Sequence, residues 1–135
     1  MKSYVVGFLF NHKGEVCLIE KNRPEWQKGR LNGIGGHIEN GESPTVAMNR
    51  EFFEEAGACA KWRQFCFMHG TQYETYCFTS RVYQGEPKTM TDERVSWYPV
   101  NNLPSNIISN LAWLVPMANH EFIIKADVEH ESEIA

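Results

Sequence analysis

The chain has 135 residues, of which 42% are hydrophobic, and a formal net charge of −4. That is the length of one domain with enough apolar side chains for a real core. The mild acidity argues against duplex nucleic acid as a partner, which calls for a basic stripe, and no apolar run approaches the roughly 20 residues that cross a membrane. In chain order, Tyr4 to Phe10 and Val16 to Glu20 read as two strands. Asn11-His12-Lys13-Gly14 interrupts the apolar run, so the N-terminus reads as strand and turn and not as a secretory signal. Residues 23–30 are polar, contain Pro24 and Gly29, and read as a loop, and Leu31 to Ile38 is a Gly-rich extended lead-in. A helix is predicted from Pro44 to Ala56, with Ser43 as N-cap, Pro44 at the first helical position and Gly57 as the C-terminal stop. Phe65 to Met68, Tyr73 to Tyr83 and Val95 to Val100 are rich in aromatic and β-branched residues and read as strands. Ile107 to Ala118 reads as a second helix, capped by Ser105 or Asn106 and kinked at Pro116. Phe122 to Ile124 would be an edge strand, and the tail VEHESEIA is expected to fray.

Strands mixed with two separated helices imply an α/β chain, a sandwich with a mixed sheet between helices. The expected organisation is one domain over residues 1–128 with a flexible tail over 129–135. Cys17, Cys59, Cys66 and Cys77 form no CxxC pair and read as reduced core thiols of a cytoplasmic protein. The five His residues show no zinc-ligand spacing.

The most informative stretch is Gly36 to Ala58, GHIENGESPTVAMNREFFEEAGA. Stepping roughly 100° per residue, Glu51, Glu54 and Glu55 fall within one arc of the predicted helix. Met48, Phe52, Ala56, Phe53 and Val46 occupy the other side and are expected to pack. Like charges so placed repel by roughly 0.2–0.5 kcal/mol per pair, a cost that makes sense if cations relieve it. Oxygen-only ligands suit Mg²⁺ or Mn²⁺, and such a cluster beside a Gly-rich turn points to phosphate chemistry. A solvated acidic face is the plainer alternative, but it would not by itself require Gly36, Glu42, Arg50 and Gly57 around it.

This stretch resembles the signature of the Nudix family, Gly-x5-Glu-x7-Arg-Glu-U-x-Glu-Glu-x-Gly-U, where U is a bulky apolar residue. Gly36, Glu42, Arg50, Glu51, Glu54, Glu55 and Gly57 match its fixed positions, and Phe52 fills the first U. Ala58 is small for the second U, which affects local packing rather than chemistry. The resemblance implies the Nudix α/β/α sandwich and Mg²⁺-assisted hydrolysis of a nucleoside diphosphate linked to another moiety. It implies Glu51, Glu55, Glu54 and the Gly36 carbonyl as metal ligands, with Glu54 alternatively orienting the attacking water. Arg50 would hold the carboxylates in place, and Glu42 would brace loop to helix. Glu93, with Asp92 beside it, is the candidate for a further carboxylate from outside the box, acting as base; a solvated loop charge is the other reading.

The segment Asn32-Gly33-Ile34-Gly35-Gly36 looks like the Trp-Asn-Gly-Phe-Gly-Gly run of the MutT-like hydrolases of oxidised purine nucleoside triphosphates, with Leu31 in place of the Trp. That makes Asn32 either a base reader or a turn cap. Asn110 is the nearest counterpart of the acidic base reader in the last helix of that group, while Trp113 reads as core. Lys21 and Arg23 could reach phosphate oxygens. The Pro expected roughly 15 residues after the box in ADP-ribose-type members is absent, as are the NADH and coenzyme A signatures. The reading is a purine nucleoside triphosphate split into monophosphate and pyrophosphate by a monomer or homodimer. The alternatives are an ADP-ribose or dinucleoside polyphosphate hydrolase, or a nucleotide-binding module without turnover.

Overall fold

The computed structural model describes residues 1–120 and 125–131. Its centre is strand β1 (Lys2–Phe10), whose inward alternation sorts the core onto two faces. Val6, Phe8 and Phe10 point to one side and Val5 and Leu9 to the other, as the period of two dictates. β1 is flanked by β2 (Glu15–Glu20) and β7 (Tyr73–Ser80), antiparallel to the first and parallel to the second. β3 (Leu31–Asn32) pairs with β2, and β4 (Ile34–His37) pairs with the first half of β1, from Tyr4 to Gly7. β5 (Cys59–Ala60) lies outside this sheet, and β6 (Arg63–His69) extends it beyond β7. β8 (Tyr83–Gln84) pairs with β5 as a separate two-stranded ribbon, β9 (Val95–Pro99) pairs with β2, and β10 (Ala126–Glu129) lies parallel to β6. The main sheet is therefore mixed.

Helix α1 (Pro44–Ala56) covers one face through Ala47, Met48, Phe52 and Ala56, against Val5, Leu9, Cys17, Ile19 and Phe78. Helix α2 (Leu111–Ala118) covers the other through Leu111, Leu114, Val115 and Ala118, against Val6, Phe8, Phe10 and Leu18. This is the predicted sandwich, with a mixed sheet between two helices.

Several local expectations change. Val46 and Phe53 do not pack; they are 54% and 58% exposed, because the sheet meets only the Ala47–Met48–Phe52–Ala56 strip of the helix. The second helix starts four residues later than expected, and Asn110, not Ser105 or Asn106, holds the N-cap position, without a side-chain cap bond. The backbone of 106–108 is already engaged: Leu31 N–H donates to Asn106 O at 3.0 Å and Ile108 N–H to Leu31 O at 3.0 Å. Pro116 lies inside α2. The strand expected to reach Tyr83 ends at Ser80, whose hydroxyl accepts from Val82 N–H at 3.2 Å and turns the chain into the β5–β8 ribbon. The 23–30 loop contains a short 3-10 turn at Glu25–Gln27. The tail is not wholly frayed, since Val128 and Glu129 pair with Met68 and His69. Cys59 is exposed rather than core, whereas Cys17, Cys66 and Cys77 are buried and all four are free. The edge strand expected at Phe122 to Ile124 lies outside the described residues. Among the described residues, no helix is long and apolar enough to cross a membrane.

Candidate active site

Local sequence sets the ends of α1. Ser43 Oγ accepts from Val46 N–H at 3.2 Å, and Pro44 occupies the first turn, where its missing N–H costs nothing. Gly57 ends the helix at φ 69°, a left-handed conformation that glycine adopts without strain, and its N–H donates to Phe53 O at 2.9 Å. The helix thereby presents Arg50, Glu51, Glu54 and Glu55 toward the Gly-rich strand β4, beside the edge where β1 passes from β4 to β2.

Arg50 organises this face. Its Nε and Nη2 donate to the two Glu42 carboxylate oxygens at 2.6 and 2.9 Å, a two-pronged pair. Nη1 donates to Glu51 at 2.8 Å and to Glu54 at 3.1 Å, and Nη2 also reaches the His37 carbonyl at 3.0 Å. Glu42 in turn accepts from the Glu39 backbone N–H at 2.9 Å, tying the loop to the helix. The Arg50 guanidinium beside it holds the Glu42 carboxyl below its ordinary value, and Glu42 foremost raises Arg50. The repulsion between Glu51 and Glu54 is thus partly relieved by Arg50, where the sequence alone assigned that task to cations.

Glu55 has no such partner on one side. Burial pushes its carboxyl up to about 8 against the pull of Lys21, while Glu51 and Glu93 push the same way as burial. Its Oε2 is buried with no hydrogen-bond partner. Burial also raises Glu51, with Arg50 opposing. Glu54, with its side chain 55% exposed, is the most open of the three.

Across from the helix, Glu93 is buried instead of solvated in its loop. Its Oε2 accepts from Asn22 N–H at 2.6 Å and Arg23 N–H at 3.4 Å, and its Oε1 lies 3.5 Å from Lys21 Nζ. Asp92 pairs with Arg23 at 2.7 Å, which lowers the Asp92 carboxyl. Lys21, Arg23 and Glu93 meet the α1 side chains in one cleft of about 760 Å³. Its carboxylates are Glu39, Glu51, Glu54, Glu55 and Glu93, and its cationic side chains are Lys2, Lys21, Arg23 and Arg50. Gly35 and Gly36 line the same cleft.

The donor set fits a hard divalent cation. It is all oxygen, it includes the partnerless buried Glu55 oxygen, and the bare Cα of Gly36 lets the Glu51 carboxylate lie against the strand. A Cβ at Gly36 would come within 2.7 Å of that carboxyl carbon. Among the described residues, however, no three His, Cys, Asp or Glu side chains already converge as a metal nest. Arg50 draws Glu51 and Glu54 toward itself, so cation binding would redistribute these contacts.

The two candidate base readers are placed differently. Asn32 is buried; its Nδ2 donates to Gln27 Oε1 at 3.1 Å and its Oδ1 accepts from Gly33 N–H at 2.7 Å. Asn110 is buried with its Oδ1 partnerless. Neither lines the cleft. Residues that do, and that the sequence did not single out, are Lys2, Tyr4, Trp26, His37 and Glu39, the last also 3.5 Å from Arg50 Nη1. The Tyr4 and His37 rings touch at 4.6 Å between centroids, tilted by 43°. An aromatic in a Pro- and Gly-bounded polar loop just after Lys21 and Arg23 was the signal available for Trp26.

The NUDIX domain family matches residues 2–117 of this chain. An oxidized purine nucleoside triphosphate hydrolase of Danio rerio is 30% identical over 98 residues, which cover 67% of this chain and 62% of that protein, so the chain spans less than two thirds of that relative's length. Among solved structures, a MutT protein from Bacillus halodurans superposes with a TM-score of 0.78 at 16% identity, covering 100% of this chain and 94% of that one. A MutT NUDIX hydrolase from Burkholderia pseudomallei gives 0.77 at 17% identity, covering 87% and 98%. At those identities the likeness establishes the fold. With the family match running over most of its length, the chain belongs to the Nudix family.

Proposed function

We propose that the protein is a Mg²⁺-dependent nucleotide pyrophosphohydrolase, with Mn²⁺ able to substitute. Its substrate is a purine nucleoside triphosphate, oxidised purines included, split between the α and β phosphates into monophosphate and pyrophosphate. The observation that carries this reading is that one cleft is lined by a cluster of carboxylates together with Lys2, Lys21, Arg23 and Arg50. Carboxylates alone repel a pyrophosphate, and cations alone would hold it without activating water. The name of the Danio rerio relative supports the purine choice. Four free cysteines support a reducing, cytoplasmic setting.

Glu51, Glu54, Glu55 and the Gly36 carbonyl would hold the cation. When bound, it supplies neutralisation of phosphate charge and a lowered pKa for its water. Arg50 would keep Glu51 and Glu54 spaced for the cation while Glu42 anchors its guanidinium. Lys21 and Arg23, held in the cleft by Glu93 and Asp92, bind phosphate oxygens. Glu93 faces the same cleft and is the candidate to take a proton from the attacking water.

The test is a turnover screen of the purified chain with Mg²⁺ against normal and oxidised purine triphosphates, ADP-ribose and dinucleoside polyphosphates. Preference for a triphosphate supports the proposal. Faster turnover of ADP-ribose or a dinucleoside polyphosphate replaces the substrate but keeps the chemistry. Tight binding without turnover makes the chain a nucleotide-binding module.

A further inference from the structure

The loop between β2 and β3 is pinned at its root, at its crown and from behind. Lys21 N–H donates to Arg30 O and Gly29 N–H to Lys21 O, both at 2.8 Å. Glu93 fixes the Asn22 N–H. Asn106 Nδ2 donates to Gly29 O at 3.1 Å from the segment before α2. Gln27 is fully buried: its N–H donates to Pro24 O at 2.9 Å, and its side-chain oxygen accepts from Asn32. Yet its neighbour Trp26 stands 45% exposed and lines the cleft. The other exposed large apolar residues described are Met1, Val46, Phe53, Val82 and Met90, and none of them lines this cleft. A large exposed ring on a loop whose backbone is tied down this thoroughly offers a planar ligand an apolar face, with little backbone motion to be lost on binding.

Resting on the pyrophosphohydrolase reading, we infer that Trp26 is the stacking wall for the nucleobase. Asn32 acts behind it, through Gln27, as a positioning residue. Lys21 and Arg23 stand at the start of the same loop and line the same cleft as Trp26, so a substrate whose phosphates meet them brings its ring toward Trp26. This assigns the base contact to a face and not to hydrogen-bond readout. Every base offers a π-face, so the site accepts many bases and ranks them by stacking strength, purines before pyrimidines. Discrimination between oxidised and normal purines is not made at this wall.

The experiment compares wild type, Trp26→Ala, Trp26→Phe and Asn32→Ala. It measures KM and kcat for purine and pyrimidine nucleoside triphosphates, and the inhibition constant of inorganic tripolyphosphate, which has the phosphates and no ring. Trp26→Ala raises KM roughly five- to hundred-fold, more for purines, with kcat falling less and the tripolyphosphate constant moving less than about twofold. Trp26→Phe recovers most of the loss, and Asn32→Ala shows the same KM pattern with a smaller amplitude. An unchanged KM in Trp26→Ala, or a KM and tripolyphosphate constant that rise together, overturns the inference. If wild type turns over no nucleoside triphosphate, the pyrophosphohydrolase reading fails separately, and calorimetry decides the wall. Nucleoside triphosphate binding tighter than tripolyphosphate in wild type and equal to it in Trp26→Ala supports the inference; no difference between the two proteins overturns it.

Discussion

Replacing Glu55 by Gln separates the cost of the site from its use. In the folded chain without a cation, burial holds the Glu55 carboxyl at about 8, against 4.5 for an ordinary Glu. The native state therefore keeps a proton that the unfolded chain releases. Stability from this group is fully present below about pH 4.5 and is lost as pH rises through about 8. At 1.36 kcal/mol per pKa unit the full gap corresponds to about 5 kcal/mol. Water reaching the open cleft reduces the observable part to about 2–3 kcal/mol. The assay is urea unfolding in chelator, followed by circular dichroism, at about pH 5 and about pH 9. Wild type should lose about 2–3 kcal/mol more across that interval than Glu55→Gln. At the alkaline end the variant should be the more stable protein, while its turnover with Mg²⁺ falls at least about 100-fold. Mg²⁺ should stabilise wild type most at high pH, where the carboxylate is free to bind it. Equal pH slopes in the two proteins would refute the burial argument.

Arg50→Lys loses the two-pronged pair with Glu42 and should destabilise by about 1–3 kcal/mol in urea unfolding; a change under about 0.5 kcal/mol would remove Arg50 as the organiser of this face. Phe52→Ala should cost about 3–5 kcal/mol, whereas Phe53→Ser, one residue on but exposed, should cost less than about 0.5 kcal/mol; similar losses would contradict the orientation of α1. Glu93→Gln should lower turnover and flatten its rise with pH, and should speed hydrogen exchange at the Asn22 and Arg23 amides that Glu93 pins. Full activity with an unaltered pH profile would confine Glu93 to holding the loop.

What was legible in the sequence was what is encoded locally. The ends of α1 were readable because Ser43, Pro44 and Gly57 act within one turn of their own positions. The start of α2 was not, because Asn106 and Ile108 are held by Leu31, some 75 residues away, and that pairing leaves no local trace. A helical wheel gave the buried side of α1 but not the width of its contact, so Val46 and Phe53 were drawn inward. Glu51, Glu54 and Glu55 announced themselves by spacing. The burial of Glu93 against the 21–23 backbone depends on a contact between distant strands, and a lone Glu in a loop carries no sign of it. Trp26 takes its meaning from the cleft that tertiary packing builds beside it, which no local pattern encodes.

The central claim is metal-dependent cleavage between the α and β phosphates. The most direct measurement is product analysis of a purine nucleoside triphosphate in ¹⁸O-labelled water, with Mg²⁺ and with chelator. Metal-dependent cleavage at that bond gives nucleoside monophosphate and pyrophosphate with Mg²⁺, ¹⁸O in one of the two, and no turnover in chelator. Nucleoside diphosphate and orthophosphate as products, or turnover that persists in chelator, would contradict it.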